Sequence, residues 1–162
     1  MVKGMIKPIE SLTRLAKIRR LRPLALHALE QYDLEISSVE LLGWFTNLLF
    51  HVRAAEKTSY VIRLCYPGWR TEEDIRSEML FLQAIASDTD IPAPRPIPAR
   101  NGEFVINAPV EGIPNYGRCV MMSWIPGIPL GKRLTSANLY KMGILFAQLH
   151  AYSTRFKPPP DF

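Results

Sequence analysis

The spacing of apolar residues divides the first half of the chain into helical and strand-like segments. Apolar residues recur at helical spacing over residues 9–31, where the Arg22-Pro23 step predicts two short helices instead of one. Three runs rich in β-branched and aromatic residues follow, at residues 37–43, 47–55 and 59–64. Because only short turn-like or charged segments separate these runs, the pattern predicts an antiparallel meander.

The second half of the chain begins with its clearest helix, at residues 71–86. Thr71 is a good N-cap, and Asp74 lies where a capping box needs an acceptor. Alternate prolines between positions 92 and 98 exclude a central strand and predict an extended edge or surface segment. Two more strand-like runs and a long amphipathic helix follow, at residues 103–108, 119–124 and 136–152. The helix is expected to turn five apolar residues inward, namely Leu139, Met142, Leu145, Phe146 and Leu149.

The last predicted strand runs directly into a Pro126-Gly127 break. The backbone N–H and C=O groups of Ser123, Trp124 and Ile125 are therefore left without an obvious ladder partner. Buried backbone groups are normally paired, so another strand, water or a flat ligand should meet them. This segment is a candidate ligand-binding edge.

Composition bounds the class of protein. A chain of 162 residues with 48% apolar residues can form a packed core, either as one domain or as one lobe of a larger protein. No apolar run approaches the roughly 18 residues that a membrane helix needs, and the N-terminus lacks a signal peptide's apolar core. Cys65 and Cys119 lie inside strand-like runs, which favours buried reduced thiols over a disulfide. We therefore expect a cytoplasmic protein with no membrane partner.

The net charge of +5 is concentrated at the N-terminus. Residues 1–22 carry seven basic side chains and one acidic side chain, so the other 140 residues together carry −1. This distribution argues against a nucleic-acid-binding face spread over the fold. A solvated basic helix face is the favoured interpretation, and a phosphate- or partner-binding arm is the alternative.

Arg63 and Glu78 are predicted to form an ion pair. Arg63 lies between apolar neighbours in the third strand, and Glu78 lies within the apolar stripe of the following helix. A buried charge without a partner is very costly, so each side chain needs the other. The pair either docks the helix on the sheet or orients a functional cation, and the two residues alone leave both interpretations open.

Several short sequences, in their order and spacing, resemble the N-terminal lobe of the aminoglycoside phosphotransferase and choline kinase family, which has a protein-kinase-like fold. The resemblance extends from about residue 24 to residue 157. Its carriers are Gly-Trp-Phe-Thr-Asn at 43–47, Tyr-Val-Ile-Arg-Leu at 60–64, Glu-Met-Leu-Phe-Leu at 78–82, Ile-Pro-Ala-Pro-Arg-Pro at 91–96, Met-Met-Ser-Trp-Ile-Pro-Gly at 121–127 and Leu-Phe-Ala-Gln-Leu-His at 145–150.

This resemblance implies an α+β fold with a mostly antiparallel five-stranded sheet, a packed helix, N-terminal helices and a C-terminal helix. It also implies three segments. Residues 1–23 would be a basic helical extension, and residues 24–125 the kinase-like N-terminal lobe. Residues 126–162 would contain the exit from the hinge, a linker helix and the start of the large lobe.

The resemblance assigns the nucleotide phosphates to two parts of the chain. The turn that contains Gly43, Thr46 and Asn47 would cover the phosphates. Arg63 replaces the family's phosphate-contacting lysine; it keeps the charge but presents a longer, planar group. Glu78 matches the helix glutamate that orients this cation.

The same resemblance makes the end of the last strand an adenine hinge. Met122 would line the back of the pocket. The C=O of Ser123 and the N–H of Ile125 would read the adenine edge. The implied cofactor is therefore ATP with magnesium, and the implied partners are a nucleotide and, in the full-length protein, a small-molecule acceptor.

The family's catalytic-loop pattern, His-x-Asp-x-x-x-x-Asn, does not occur in this sequence, and the three histidines show no metal-ligand spacing. We therefore assign no catalytic and no metal-binding residue. The expected function is the nucleotide-side lobe of an ATP-dependent phosphotransferase, truncated before the catalytic loop. The phosphorylated group would be a hydroxyl of a metabolite or an aminoglycoside-like acceptor. The alternative is a non-catalytic interaction or weak nucleotide-binding module, and self-association through an exposed lobe interface is expected in either case.

Overall fold

The computed structural model describes residues 7–110, 113, 117–160 and 162. In this part of the chain, six strands and three α-helices form a mixed fold. The strands are β1 (Ile36–Trp44), β2 (Leu48–Ala54), β3 (Ser59–Leu64), β4 (Pro96–Ile97), β5 (Ile106–Asn107) and β6 (Arg118–Ser123). The helices are α1 (Arg14–Leu29), α2 (Glu72–Asp88) and α3 (Ser136–Ser153), with short 3-10 turns at Ile9–Ser11 and Leu130–Lys132. The expected α+β fold is confirmed.

All of the strands belong to one antiparallel sheet, in the order β1-β2-β3-β6-β4, and β5 also pairs with β6. The expected number of five strands was too low, because the proline-rich segment contributes the short strand β4. Its position at the end of the order confirms the expectation of an edge segment. Proline is tolerated there because an edge strand needs fewer ladder donors.

The two faces of the sheet are covered by different helices. Side chains alternate along each strand, so β6 turns Cys119 and Met121 to one face and Val120 and Met122 to the other. The first face packs with the buried residues of α1 in the larger core. The second face packs against Ile75 and its neighbours on α2. Both cysteines are buried free thiols, as expected.

The prediction of two helices broken at Arg22-Pro23 is wrong. A single helix, α1, runs through this step with Pro23 in its interior, and it also crosses the expected segment boundary after residue 23. Pro23 is exposed, so water can reach the carbonyl group that loses its helical hydrogen bond. On the opposite side, Leu21 and Leu24 are fully buried in the core. Burial of this apolar face offsets the local cost of the proline.

The start of α2 confirms the predicted capping box. The Thr71 hydroxyl accepts a hydrogen bond from the N–H of Asp74 at 3.1 Å. The Asp74 carboxylate accepts one from the N–H of Thr71 at 3.0 Å. These reciprocal bonds satisfy two backbone donors that a helix start would otherwise leave unpaired.

The expectation that α3 turns its apolar stripe inward is wrong for this chain. Leu139 and Phe146 are 42% and 49% exposed, and Met142, Leu145 and Leu149 are only half-buried. Tyr152 is the buried residue of this helix, and its hydroxyl donates a hydrogen bond of 2.7 Å to the Asp88 carboxylate at the end of α2. The helix is therefore tied down at its C-terminal end, while most of its apolar surface faces solvent. Within the described residues, no helix combines the length and apolar character needed to cross a bilayer.

Candidate functional site

A cavity of about 510 Å³ lies where the β1–β2 turn, strands β2 and β3, helix α2 and the end of β6 converge. It brings together seven of the eight predicted site residues. Its lining consists of Phe45, Thr46, Asn47, Leu49, Val61, Arg63, Glu78, Leu82, Pro94, Met122, Ser123, Trp124 and Ile125. Gly43 is the exception, because it lies within β1 opposite Leu49 and outside this lining.

The charged end of the cavity contains the predicted ion pair. The guanidinium of Arg63 donates two parallel hydrogen bonds to the carboxylate of Glu78, both 2.7 Å long. The Arg63 side chain is 11% exposed, whereas that of Glu78 is 45% exposed. Such two-pronged pairs are the strongest and most directional of the charged hydrogen bonds. The sequence prediction of this pair is confirmed.

Arg63 remains charged although it is buried. Desolvation is the largest single effect and opposes its charge, but the hydrogen bond to Glu78 and the smaller favourable interactions with Glu78 and Cys65 together outweigh it and raise the pKa of Arg63 above its usual value. The Nε atom of Arg63 is buried without a partner in the described part of the chain. Burial raises the pKa of the nearby Cys65 thiol, which therefore stays neutral near pH 7.

Apolar side chains form the walls of the cavity. Leu49 on β2 lies opposite Arg63 in the strand register, and Val61 lies on the same face of β3 as Arg63. Leu82 on α2 and Met122 on β6 complete this surface. Only Met122 had been singled out from the sequence. The alternation of strand residues could have identified Val61, because residues two positions apart share a face.

The end of β6 is better paired than the sequence suggested. The N–H of Ser123 donates to the C=O of Arg95 at 2.8 Å, and the N–H of Trp124 donates to the C=O of Ser59 at 3.0 Å. Neighbouring strand segments, one of the kinds of partner that the sequence left open, meet these two N–H groups: the proline-rich segment reaches Ser123 and the start of β3 reaches Trp124. The Trp124 ring also packs against His51 on β2, with ring centroids 4.5 Å apart.

Comparison with known proteins decides the family. Residues 38–162, more than half of the chain, match the family model described as the phosphotransferase enzyme family, APH. The chain belongs to this phosphotransferase family. The chain is also similar to Uncharacterized protein sll1119 of Synechocystis sp. (strain ATCC 27184 / PCC 6803 / Kazusa). It is 35% identical over 102 residues, which cover 61% of this chain and 27% of that protein.

Among solved structures, the chain is similar to a microcompartment-associated aminopropanol kinase, with a TM-score of 0.72 and 26% identity. The match covers 85% of this chain and 42% of the kinase. The chain thus spans less than half the length of either relative. The kinase-like fold and the membership of a small-molecule phosphotransferase family agree with the resemblance drawn from the sequence.

In this phosphotransferase fold, the β1–β2 turn forms one side of the cavity. The side-chain oxygen of Asn47 accepts a hydrogen bond from the N–H of Tyr66 at 3.0 Å, so Asn47 braces the turn. A side chain at Gly43 would approach the Phe45 ring to 2.9 Å. Glycine at this position therefore leaves room for Phe45, and contact of Gly43 with phosphates stays a prediction.

No group of three or more His, Cys, Asp or Glu side chains in the described part of the phosphotransferase chain lies close enough to hold a metal ion. The cationic group of the cavity is instead Arg63, paired with Glu78.

Proposed function

We propose that this chain binds the adenine nucleotide of an ATP-dependent phosphotransferase, with magnesium-ATP as the phosphate donor. One observation carries the proposal: a single cavity joins the ion-paired Arg63 to apolar walls and to the end of β6. A flat base and a polyanion need these two environments side by side.

The residues of the cavity fit the two halves of such a ligand. Leu49, Val61 and Met122 offer apolar surface to a base. Each of the two paired nitrogens of Arg63 carries a second hydrogen, so phosphate oxygens can be bound while Glu78 stays in place. Ser123 C=O and Ile125 N–H are the proposed contacts to the base edge.

The proposed role is to hold and orient the donor. Phosphoryl transfer depends mainly on positioning and on charge stabilisation, and the bound magnesium ion would supply part of the latter. The catalytic-loop pattern is absent from these 162 residues, so we assign the base and the metal ligands to other residues of the whole protein. The acceptor is proposed to be a hydroxyl of a small metabolite, in keeping with the aminopropanol kinase that shares this fold.

The location of charge supports a nucleotide partner over a nucleic acid. The sequence outside residues 1–22 is nearly neutral, and the cavity's cation is largely neutralised by Glu78. Nucleic-acid binding depends on many phosphate contacts, and this distribution of charge offers few of them outside the N-terminal segment. Free thiols at Cys65 and Cys119 support a cytoplasmic location, where ATP is available.

Calorimetric titration with magnesium-ATP and with adenosine tests the proposal. Wild-type protein should bind both ligands saturably. Arg63→Met should weaken ATP binding about tenfold and leave adenosine binding within about twofold, since a charge-assisted hydrogen bond contributes about this much. Val61→Phe should weaken both ligands because it fills the space for the base. Absence of ATP binding by the folded wild-type chain would overturn the proposal.

A second candidate, an interaction module, is favoured by the exposed apolar surface of α3. Leu139, Tyr140, Ile144 and Phe146 expose between 42% and 73% of their surface. Soluble monomers seldom expose a continuous patch of this kind. If the titration shows no nucleotide binding and the chain still self-associates or binds the large lobe of a phosphotransferase, this candidate replaces the first.

A further inference from the structure

The side-chain hydroxyl of Ser123 accepts the sheet hydrogen bond that the Ser123 carbonyl would ordinarily accept. Strand β4 pairs with β6 so that Pro96 lies opposite Met122 and Ile97 opposite Met121. The same register places Arg95 opposite Ser123. In an antiparallel sheet, every second pair exchanges two backbone hydrogen bonds. Pro96 has no N–H to donate, and it occupies the intervening, non-hydrogen-bonded position.

The pair of Arg95 and Ser123 completes only half of this exchange through the backbone. The N–H of Ser123 donates to the C=O of Arg95 at 2.8 Å. The returning N–H of Arg95 donates instead to the side-chain hydroxyl oxygen of Ser123, at 2.9 Å. The Ser123 carbonyl oxygen is therefore released from the ladder contact that Arg95 would ordinarily make.

The peptide group that carries the released carbonyl is held in place by its own N–H, which belongs to Trp124. Trp124 donates its N–H to Ser59 on β3, and its ring packs against His51. Both Ser123 and Trp124 line the cavity. A backbone carbonyl is an acceptor only, so a ligand group that meets this oxygen favourably must be a donor.

We propose that the Ser123 hydroxyl is a specificity-determining positioning group that keeps its carbonyl free for the amino group of a 6-aminopurine. This inference rests on the proposed nucleotide function and adds its base selectivity. Purines with a 6-oxo group present an acceptor to the same carbonyl. A purine without a 6-substituent leaves the carbonyl without a partner. Both should bind less well than ATP, because unpaired or opposed polar groups are costly when desolvated.

Three ligands and three variants test the inference. Affinities are measured by calorimetry for ATP, for purine riboside triphosphate, which lacks the 6-amino group, and for inosine triphosphate, which carries a 6-oxo group. Wild-type protein should prefer ATP over each analogue by about tenfold, the value of one well-made hydrogen bond. Ser123→Ala frees the Arg95 N–H to turn to the carbonyl, which must then be shared with the ligand. The preference should fall to about twofold, with purine riboside triphosphate affinity changed less than about twofold.

Two control variants separate selectivity from loss of structure. Ser123→Thr keeps the hydroxyl and should restore the preference. Ser37→Ala removes a different strand hydroxyl, which donates a 2.9 Å hydrogen bond to the C=O of Arg53 and lies outside the lining of the cavity. This variant should leave the preference for ATP over the two analogues unchanged. A loss of stability alone would alter the affinities for all three ligands alike.

The outcomes distinguish this inference from the proposed function. If wild-type protein binds no nucleotide, the proposed function fails. If it binds ATP and both analogues equally, the carbonyl is not read and the inference alone fails. The inference also fails if Ser123→Ala binds ATP with the full wild-type preference. Should Ser123→Ala not fold, equal binding of the three triphosphates by wild-type protein, or loss of the ATP preference in Ser123→Thr, still overturns the inference.

Discussion

Arg63 on β3 and Glu78 on α2 face each other so that both guanidinium nitrogens and both carboxylate oxygens are engaged at 2.7 Å. This contact joins the helix to the sheet and also fixes the orientation of the cation in the cavity wall. The structural interpretation and the phosphate-binding proposal are therefore compatible. They differ in what a substitution should change, namely stability alone or ligand affinity as well.

Glu78→Gln should lower the free energy of unfolding by about 1–2 kcal/mol, because it leaves the largely buried charge of Arg63 without its counter-charge. The expected loss is smaller than the roughly 3–5 kcal/mol for a fully buried pair, since water reaches Glu78. Urea unfolding measures the change. Glu40→Gln is the matched control, because the Arg53–Glu40 pair has both partners about half exposed. Its loss should stay below about 0.5 kcal/mol, and equal losses in both variants would contradict the argument.

The start of α2 should contribute to the acid sensitivity of the chain. The backbone N–H of Thr71 donates to the Asp74 carboxylate and holds the pKa of this group below its ordinary value of 3.8. Because the folded-state pKa is the lower one, the stabilisation is complete above the unfolded pKa and is lost as the pH falls through the folded pKa. Asp74→Asn should therefore flatten the pH dependence of stability below about pH 5, measured by urea unfolding at several pH values. A variant with the wild-type slope would show that this bond does not contribute.

The elements whose signals are local were predicted well. Strand β3 has the expected ends, and the capping box at Thr71 and Asp74 depends on residues three positions apart. The Arg63–Glu78 pair could also be anticipated, because the largely buried cation of Arg63 requires a counter-charge. In these cases the physical requirement is readable within one or two neighbouring elements.

The errors arose where distant packing decides the structure. Pro23 breaks a helix by its local chemistry, yet burial of Leu21 and Leu24 against the sheet keeps α1 continuous. Likewise, periodicity identifies the apolar stripe of α3 but does not say what lies opposite it. The N–H of Ser123 finds its partner only because the proline-rich segment lies beside β6, and that of Trp124 only because the start of β3 does.

Arg14 should stabilise the turn that covers the cavity. Its guanidinium donates a hydrogen bond of 2.7 Å to the C=O of Trp44, just before Phe45. Arg14→Met should speed amide exchange in residues 45–47 and weaken magnesium-ATP binding by about threefold, roughly the value of one exposed hydrogen bond. Lys17→Met removes the same charge from the same helix and adjoins the same surface pocket. If both variants weaken binding equally, net charge and not the Trp44 contact is responsible.

The exposed face of α3 should make the isolated chain self-associate. Leu139 and Phe146 lie seven residues apart, two helical turns along the same side of α3, and the chain leading to the helix adds exposed Ile128 and Leu134. Removing this apolar surface from water is favourable, so a second copy of the chain or a large lobe should cover it.

Sedimentation velocity over a range of concentrations should therefore show oligomers of the wild-type chain. The double substitution Leu139→Lys and Phe146→Lys should make the chain monomeric, because association would have to bury two lysine charges without partners. Leu15→Lys is the matched control, because Leu15 is also exposed, at 57%, but lies on α1 and not on α3. It should leave the association unchanged, since single exposed apolar residues are common on protein surfaces. A wild-type chain that stays monomeric at every concentration would show that this face does not mediate self-association.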